Sequence, residues 1–161
     1  PGRLERLRDD PPVVIRDYAH TPRAMERAIR AVRAVSPGRV LLVFGAGGER
    51  DRGKRPLMGD VAARLSDRAW ITNDNPRGED PERIARDVAE GMPEEGREIV
   101  LDRREAIRRA MEAAEAGDVV LLLGKGHETS IVIDGDRIPF DEAEVVAELS
   151  REMGLPGGRS T

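Results

Sequence analysis

Val40-Leu41-Leu42-Val43-Phe44, running directly into Gly45-Ala46-Gly47-Gly48, is the stretch whose reading decides the fold. An apolar run with no polar alternation fits a strand covered on both faces, as in a parallel sheet flanked by helices. A second such run, Val119 to Leu123, ends on Gly124-Lys125-Gly126. Working outward, Pro12 to Ile15, Ala69 to Thr72 and a short Ile99 to Leu101 read as further strands. Helical patterns fill the intervals. Thr21-Pro22 is an N-cap followed by Pro at the first helical position, opening a helix that runs to Val35 and stops at Ser36-Pro37-Gly38. Another spans about Pro56 to Leu65, and Asp80-Pro81 opens one that reaches about Glu90. Asp102 with Glu105 forms a capping-box pattern for a helix to Ala116, and Asp141 with Glu144 caps the last one. Asp134-Gly135, between Ile131–Ile133 and Arg137–Pro139, is a two-residue hairpin signal.

Strands alternating with helices predict an α/β fold: a Rossmann-like, doubly wound, mostly parallel sheet, with a C-terminal β-hairpin. Residues 1–10 read as a linker remnant with no element of their own, residues 11–153 as one domain and 154–161 as a disordered tail. The opening Pro1-Gly2-Arg3-Leu4-Glu5 looks like a cut linker, so a fragment of a longer protein is expected.

Composition narrows the function. A chain of 161 residues suffices for one core. There is no cysteine, hence neither a disulfide framework nor a thiolate metal site. The longest apolar run is far too short to span a bilayer and no signal-peptide pattern opens the chain, which therefore reads as soluble and cytoplasmic. Charged residues are 36 % of the chain, yet the net charge is −4 and the signs are interleaved. With one Trp, one Tyr and two Phe as well, a nucleic-acid role is excluded from the reading. Among 27 basic residues only Lys54 and Lys125 are lysine, and each follows a glycine.

In open α/β sheets ligands bind beyond the carboxyl ends of the strands. The unusual segments of this chain fall there: Asp17-Tyr18-Ala19-His20, the loop Gly45 to Arg55, Asn73-Asp74-Asn75-Pro76-Arg77, and Gly124-Lys125-Gly126-His127-Glu128-Thr129. Arg50, Arg52, Arg55 and Arg77 are planar forks suited to carboxylate or phosphate. Asp74 and Glu128 can receive an ammonium group, and the glycines let backbone amides approach a ligand. A rim carrying both signs suits a zwitterion such as an amino acid. Two glycine motifs fail. Gly48 to Lys54 begins like a P-loop, but residue 55 is Arg where a hydroxyl must bind Mg²⁺. Arg50 also stands where a dinucleotide fingerprint needs its third glycine.

Four stretches, DYAHTP at 17–22, FGAGGERDRGKRPLMG at 44–59, DNPRGEDP at 74–81 and GKGHET at 124–129, are similar to the C-terminal domain of the Mur ligases. The likeness runs in order from Pro1 to about Ser150, and DNPR with GKGHE points to members that add meso-diaminopimelate to UDP-MurNAc-L-Ala-D-Glu during peptidoglycan synthesis. The resemblance implies that Asp74, Asn75, Pro76 and Arg77 recognise diaminopimelate and that Arg50, Gly124 and Glu128 also hold it. In that scheme Arg77 clamps the distal carboxylate and Glu128 takes the ammonium, while Asp17, Tyr18 and His20, with Arg3, close over ATP. It further implies that ATP, Mg²⁺ and the UDP-sugar are held mainly by other domains, leaving no catalytic residue or metal ligand of its own in this chain. Ala46, Glu49 and Arg16 depart from the family pattern, and Lys54 and Lys125 receive no role. Two alternatives stay open: a Mur-type or folylpolyglutamate-synthase-like domain for lysine, ornithine or glutamate, and a non-catalytic Rossmann-type binding module. DNPR counts against the first, the failed fingerprint and mixed-charge rim against the second.

Overall fold

A computed structural model describes residues 2–157. The chain forms β1 (Glu5–Arg8), β2 (Val13–Asp17), α1 (Pro22–Val35), β3 (Val40–Phe44), α2 (Lys54–Leu65), β4 (Arg68–Ile71), α3 (Pro81–Ala89), β5 (Arg97–Ile99), α4 (Arg103–Ala113), β6 (Val119–Leu123), β7 (Ser130–Ile133), β8 (Asp136–Pro139) and α5 (Glu142–Glu152). Six strands make one sheet in the order β1-β2-β6-β3-β4-β5, and β7 and β8 pair as a separate hairpin. From β2 to β5 every pairing is parallel, so Asp17 lies opposite Leu123 and Phe44 opposite Ile71 at a single edge. The doubly wound, mostly parallel sheet with a C-terminal hairpin is therefore as the hydrophobic pattern predicts.

The pleat sorts the core. Leu42 and Phe44 of β3 face α1, α2 and α3, where they meet Met25, Ile29, Met58 and Val88. Leu41 and Val43 point the other way, to Ile107, Met111 and Val146 on α4 and α5. All five residues of β3 are buried, as are all five of β6. Each fully buried Leu or Val adds on the order of 1.5–3 kcal/mol, which holds the two central strands, and the loops leaving them, in fixed register. Thr21 caps α1, accepting from the Ala24 amide, and Asp80, Asp102 and Asp141 cap α3, α4 and α5 likewise. The Asp134-Gly135 turn has positive φ at both residues (48° and 79°), the geometry a tight hairpin demands.

Three expectations need correction. The first ten residues are not a bare linker: Glu5–Arg8 adds an antiparallel edge strand to β2. Leu7 packs on the second core, Glu5 accepts from Arg16 Nε at 3.0 Å, and the buried Arg8 donates to the carbonyls of Pro11, Pro156 and Gly157. Those last two bonds also correct the tail, because residues 154–157 are docked, with Leu155 against the core; residues 158–161 lie outside the described residues. The short fourth strand sits at Arg97–Ile99 rather than 99–101. As an edge strand it is paired through Arg97, Glu98 and Ile99, while Val100 N bonds back to Ile71 O.

Arg16, out of place in an apolar strand, is explained by the same edge. It is buried between Glu5 of β1 and Asp141, the cap of α5, and pairs with both at 3.0 and 3.5 Å.

Candidate functional site

The loops that follow β2, β3, β4 and β6 converge at the carboxyl edge of the sheet. A Cβ on Gly45 would strike the Thr72 carbonyl, one on Gly48 the Pro76 carbonyl, and one on Gly124 the Asp74 carboxylate. Only glycine lets these segments touch. Their backbones are tied as well: Gly48 N donates to Asn75 O at 2.8 Å, and Gly124 N to Asp17 O at 3.0 Å. Between them lies a cavity of about 330 Å³ lined by Tyr18, Arg50, Lys54, Asp74, Arg77 and Glu128, among others. A larger hollow of about 590 Å³ separates α4, α5 and the hairpin. Its aspartates, Asp102 and Asp141, are helix caps, so the smaller cavity is the site with unassigned polar groups.

The β4 loop supplies the most organised part. Arg77 has φ 54°, a conformation a non-glycine residue adopts only when its surroundings hold it. They do so from the hairpin: Arg77 N donates to Val132 O at 2.9 Å, and Asp134 N donates to Arg77 O at 2.7 Å. The guanidinium is anchored through Nη1, which donates to Gly48 O and Asn75 O, and it has no carboxylate partner among the described residues. Asp74 and Asn75 are buried, and Pro76 with them. Glu128 also lines the cavity, half-buried, its carboxylate accepting no hydrogen bond from another described residue. Arg50, in the glycine loop, and Lys54, at the start of α2, are exposed and likewise without ion pairs among the described residues. One cavity thus presents both cations and a carboxylate that are not paired with each other among the described residues.

Other residues the sequence singles out are structural. Arg55, read as a fork for ligand, is buried and instead grips Glu79 at 2.6 and 2.9 Å, Asp87 at 3.0 Å and the Gly47 carbonyl at 3.2 Å. That contact, helped by the Glu49 amide and Arg52, holds the Glu79 carboxyl at about 2. Arg55 therefore latches the glycine loop to α3. Arg52 lies 3.8 Å from the same carboxylate. Trp70 is buried in the core, with its indole donating to Glu98.

At the β2 end, Asp17 is buried and both its oxygens accept backbone amides, from Leu4 and from Ala19, each at 2.8 Å. It fixes the turn and the incoming chain. Tyr18 meets the exposed His20 edge-on at a ring distance of 4.9 Å, and His127 lies 6.2 Å away on its other side. Arg3 is exposed nearby, on the segment whose Gly2 touches the turn at Gly126 and His127.

A buried polar layer beneath the cavity escaped sequence reasoning. Lys125 is wholly buried, with Nζ 3.4 Å from Asn75 Oδ1 and 3.8 Å from Asp74 Oδ1. Burial lowers its pKa against the pull of the Asp74 carboxylate. Arg103 is buried too, and donates to Asn73 O, Leu123 O and Glu142 Oε1. Glu142 is fully buried and its carboxyl is pushed up by desolvation, opposed by Arg103 and Lys125. The only hint in the sequence was the survival of Lys125 in an arginine-rich chain. Arg103 and Glu142 merely followed capping aspartates.

Known proteins resemble this chain along nearly its whole length. The Mur ligase, glutamate ligase domain family matches residues 2–126. A UDP-N-acetylmuramoyl-L-alanyl-D-glutamate--2,6-diaminopimelate ligase of Aquifex aeolicus is 49 % identical over 98 % of this chain and 33 % of its own length. The enzyme of the same name from Alkalilimnicola ehrlichii is 54 % identical over 96 % of this chain and 31 % of its own. A solved structure of such a ligase superposes with a TM-score of 0.89 at 41 % identity, over 96 % of this chain and 32 % of that one. The chain spans about a third of the length of the curated relatives it matches. With a matching fold and a family match over most of its length, this chain belongs to the Mur ligase, glutamate ligase domain family.

Proposed function

We propose that this chain is the amino-acid-capturing domain of an ATP-dependent ligase that joins meso-diaminopimelate to UDP-MurNAc-L-Ala-D-Glu. The observation that carries the reading is the cavity's pairing of uncommitted Arg50 and Arg77 with uncommitted Glu128, beside Asp74. Diaminopimelate carries a carboxylate and an ammonium at each end, and a planar guanidinium takes a carboxylate in two parallel bonds. Arg77 would hold the distal carboxylate, with Glu128 receiving the ammonium beside it. Arg50 would meet the other end, and the Gly124 turn leaves room for backbone contact. Asp74, Asn75 and Pro76 shape the wall. Held so, the second amine is presented outward for attack, and positioning of that kind is where most of such a domain's contribution to rate lies.

ATP supplies the activation of the acceptor carboxylate in this class of reaction. Within this chain, Tyr18 and His20 line the cavity and, with the exposed Arg3, would close over a nucleotide, while Asp17 holds the turn in place. Among the described residues no group of three His, Cys, Asp or Glu could hold a metal. In the proposed ligase, Mg²⁺ and the UDP-sugar would be held mainly by the rest of the enzyme. No described helix is long and apolar enough to cross a membrane.

The test is an amide NMR titration of the labelled chain with meso-diaminopimelate, and with lysine and ornithine as comparators. Shifts at Arg50, Asn75, Arg77 and Glu128 with diaminopimelate alone, abolished in Arg77→Ala, are expected. A preference for lysine or ornithine would refute the substrate, and shifts confined to other faces would refute the site.

A further inference from the structure

Beneath the cavity, one buried ammonium ties the turn after β6 to the loop after β4. Lys125 sits between Gly124 (φ 111°) and Gly126 (φ 53°), both in backbone conformations that L side chains rarely adopt. The two glycines turn the chain sharply at the end of β6, and the lysine side chain is wholly buried below the rim. Its Nζ reaches Asn75 Oδ1 at 3.4 Å and Asp74 Oδ1 at 3.8 Å. Asn75 Oδ1 accepts a second bond, from Val132 N of β7 at 3.0 Å, while the Asn75 carbonyl accepts Gly48 N and Arg77 Nη1. Val132 O in turn accepts the Arg77 amide, and Lys125 O accepts the Glu128 amide at 2.9 Å. The Asn75 carboxamide oxygen is thus engaged from two directions by this chain itself, which fits an organiser of the pocket better than a ligand for substrate.

We propose that Lys125 is a positioning residue for amino-acid capture: its buried ammonium locks the Asp74–Asn75 segment to the β6 turn and to β7, and so places Arg77 and Glu128 at their separation. An ammonium suits the task because it is a compact charge with donors for both Asn75 and Asp74. Arg103, already bonded to Asn73 O, Leu123 O and Glu142, occupies the neighbouring space. Lys125 itself is out of reach of substrate, so its effect passes through Arg77. The inference rests on the proposed capture of diaminopimelate for its binding arm only.

The experiment compares wild type, Lys125→Met and Lys125→Gln as the full 161-residue chain, first without ligand and then titrated with meso-diaminopimelate. Without ligand, Lys125→Met is expected to move the amide resonances of Arg77, Val132 and Asp134 while those of α1 and α2 stay in place. Its affinity for diaminopimelate should fall by about tenfold, the cost of one buried polar group losing its partner. Lys125→Gln, which can still donate to Asn75 Oδ1, should recover part of both readouts and serves where the Met variant does not fold. Unmoved Arg77 and Val132 amides would overturn the proposal, whatever the affinity. So would shifts spread over the whole spectrum, or a fall in thermal midpoint with binding intact, since either marks a general structural role. If wild type ignores diaminopimelate, the function proposed above fails, and the ligand-free spectra still decide the role of Lys125.

Discussion

The latch between the glycine loop and α3 makes a quantitative prediction about acid stability. Glu79 is set between the buried Arg55 guanidinium, at 2.6 and 2.9 Å, and the Glu49 amide at 3.1 Å, and its carboxyl is held at about 2 instead of 4.5. A carboxylate whose pKa is depressed by folding stabilises the native state above its unfolded value, and that stability is lost as pH falls from about 4.5 toward 2. The full shift corresponds to about 3 kcal/mol, of which about 2 kcal/mol should be gone at about pH 3. Replacing Glu79 with Gln removes the titrating group while keeping its size and one acceptor. We therefore expect wild type to lose about 2 kcal/mol more than Glu79→Gln between about pH 6 and about pH 3, measured by urea unfolding at each pH with linear extrapolation. Contributions from other carboxylates with lowered pKa, such as Glu5 and Asp118, appear in both proteins and cancel in the difference. Parallel stability-against-pH curves for the two proteins would refute the latch. A steeper loss in Glu79→Gln would reverse the sign of the argument.

Two further outcomes follow from the same site. Gly48→Ala places a Cβ against the Pro76 carbonyl, so the loops after β3 and β4 must separate; a loss of about 1–3 kcal/mol is expected in urea unfolding, and a change under about 0.5 kcal/mol would show the contact to be slack. The 161-residue chain alone is expected to release no ADP from ATP in the presence of diaminopimelate and Mg²⁺, because it spans only about a third of its relatives' length and carries Arg55 where a P-loop needs a hydroxyl; ADP release stimulated by diaminopimelate would refute that expectation.

The organisation of the rim divides labour in a way that ties specificity to folding. Arg55, Asp17 and Asn75 each look like ligand-binding groups in the sequence, and each makes hydrogen bonds within the chain that hold a loop. Arg50, Arg77 and Glu128, which line the cavity without ion pairs among the described residues, sit on loops held by backbone hydrogen bonds such as Gly48 N to Asn75 O and Arg77 N to Val132 O. A pocket built in this manner needs little reordering when ligand arrives, and preorganisation lowers the cost of binding.

Much of this was legible before any coordinates. Two uninterrupted apolar runs, helix caps at Thr21, Asp80, Asp102 and Asp141, and the Asp134-Gly135 turn are local features, set by side-chain sterics and by which backbone amides lack partners. They determined the strands, the helices, the parallel sheet and the edge at which the unusual loops must meet. What only the tertiary structure decided is which polar residues face the cavity and which lie beneath it. That choice depends on partners distant in the chain. Arg55 is structural because Glu79 and Asp87 reach it, and Glu5–Arg8 is a strand because β2 offers an open edge. Lys125 matters because Asp74 and Asn75, some fifty residues earlier, come within range of its ammonium. A buried charge is stable only where folding supplies its counterpart, and no local pattern carries that information.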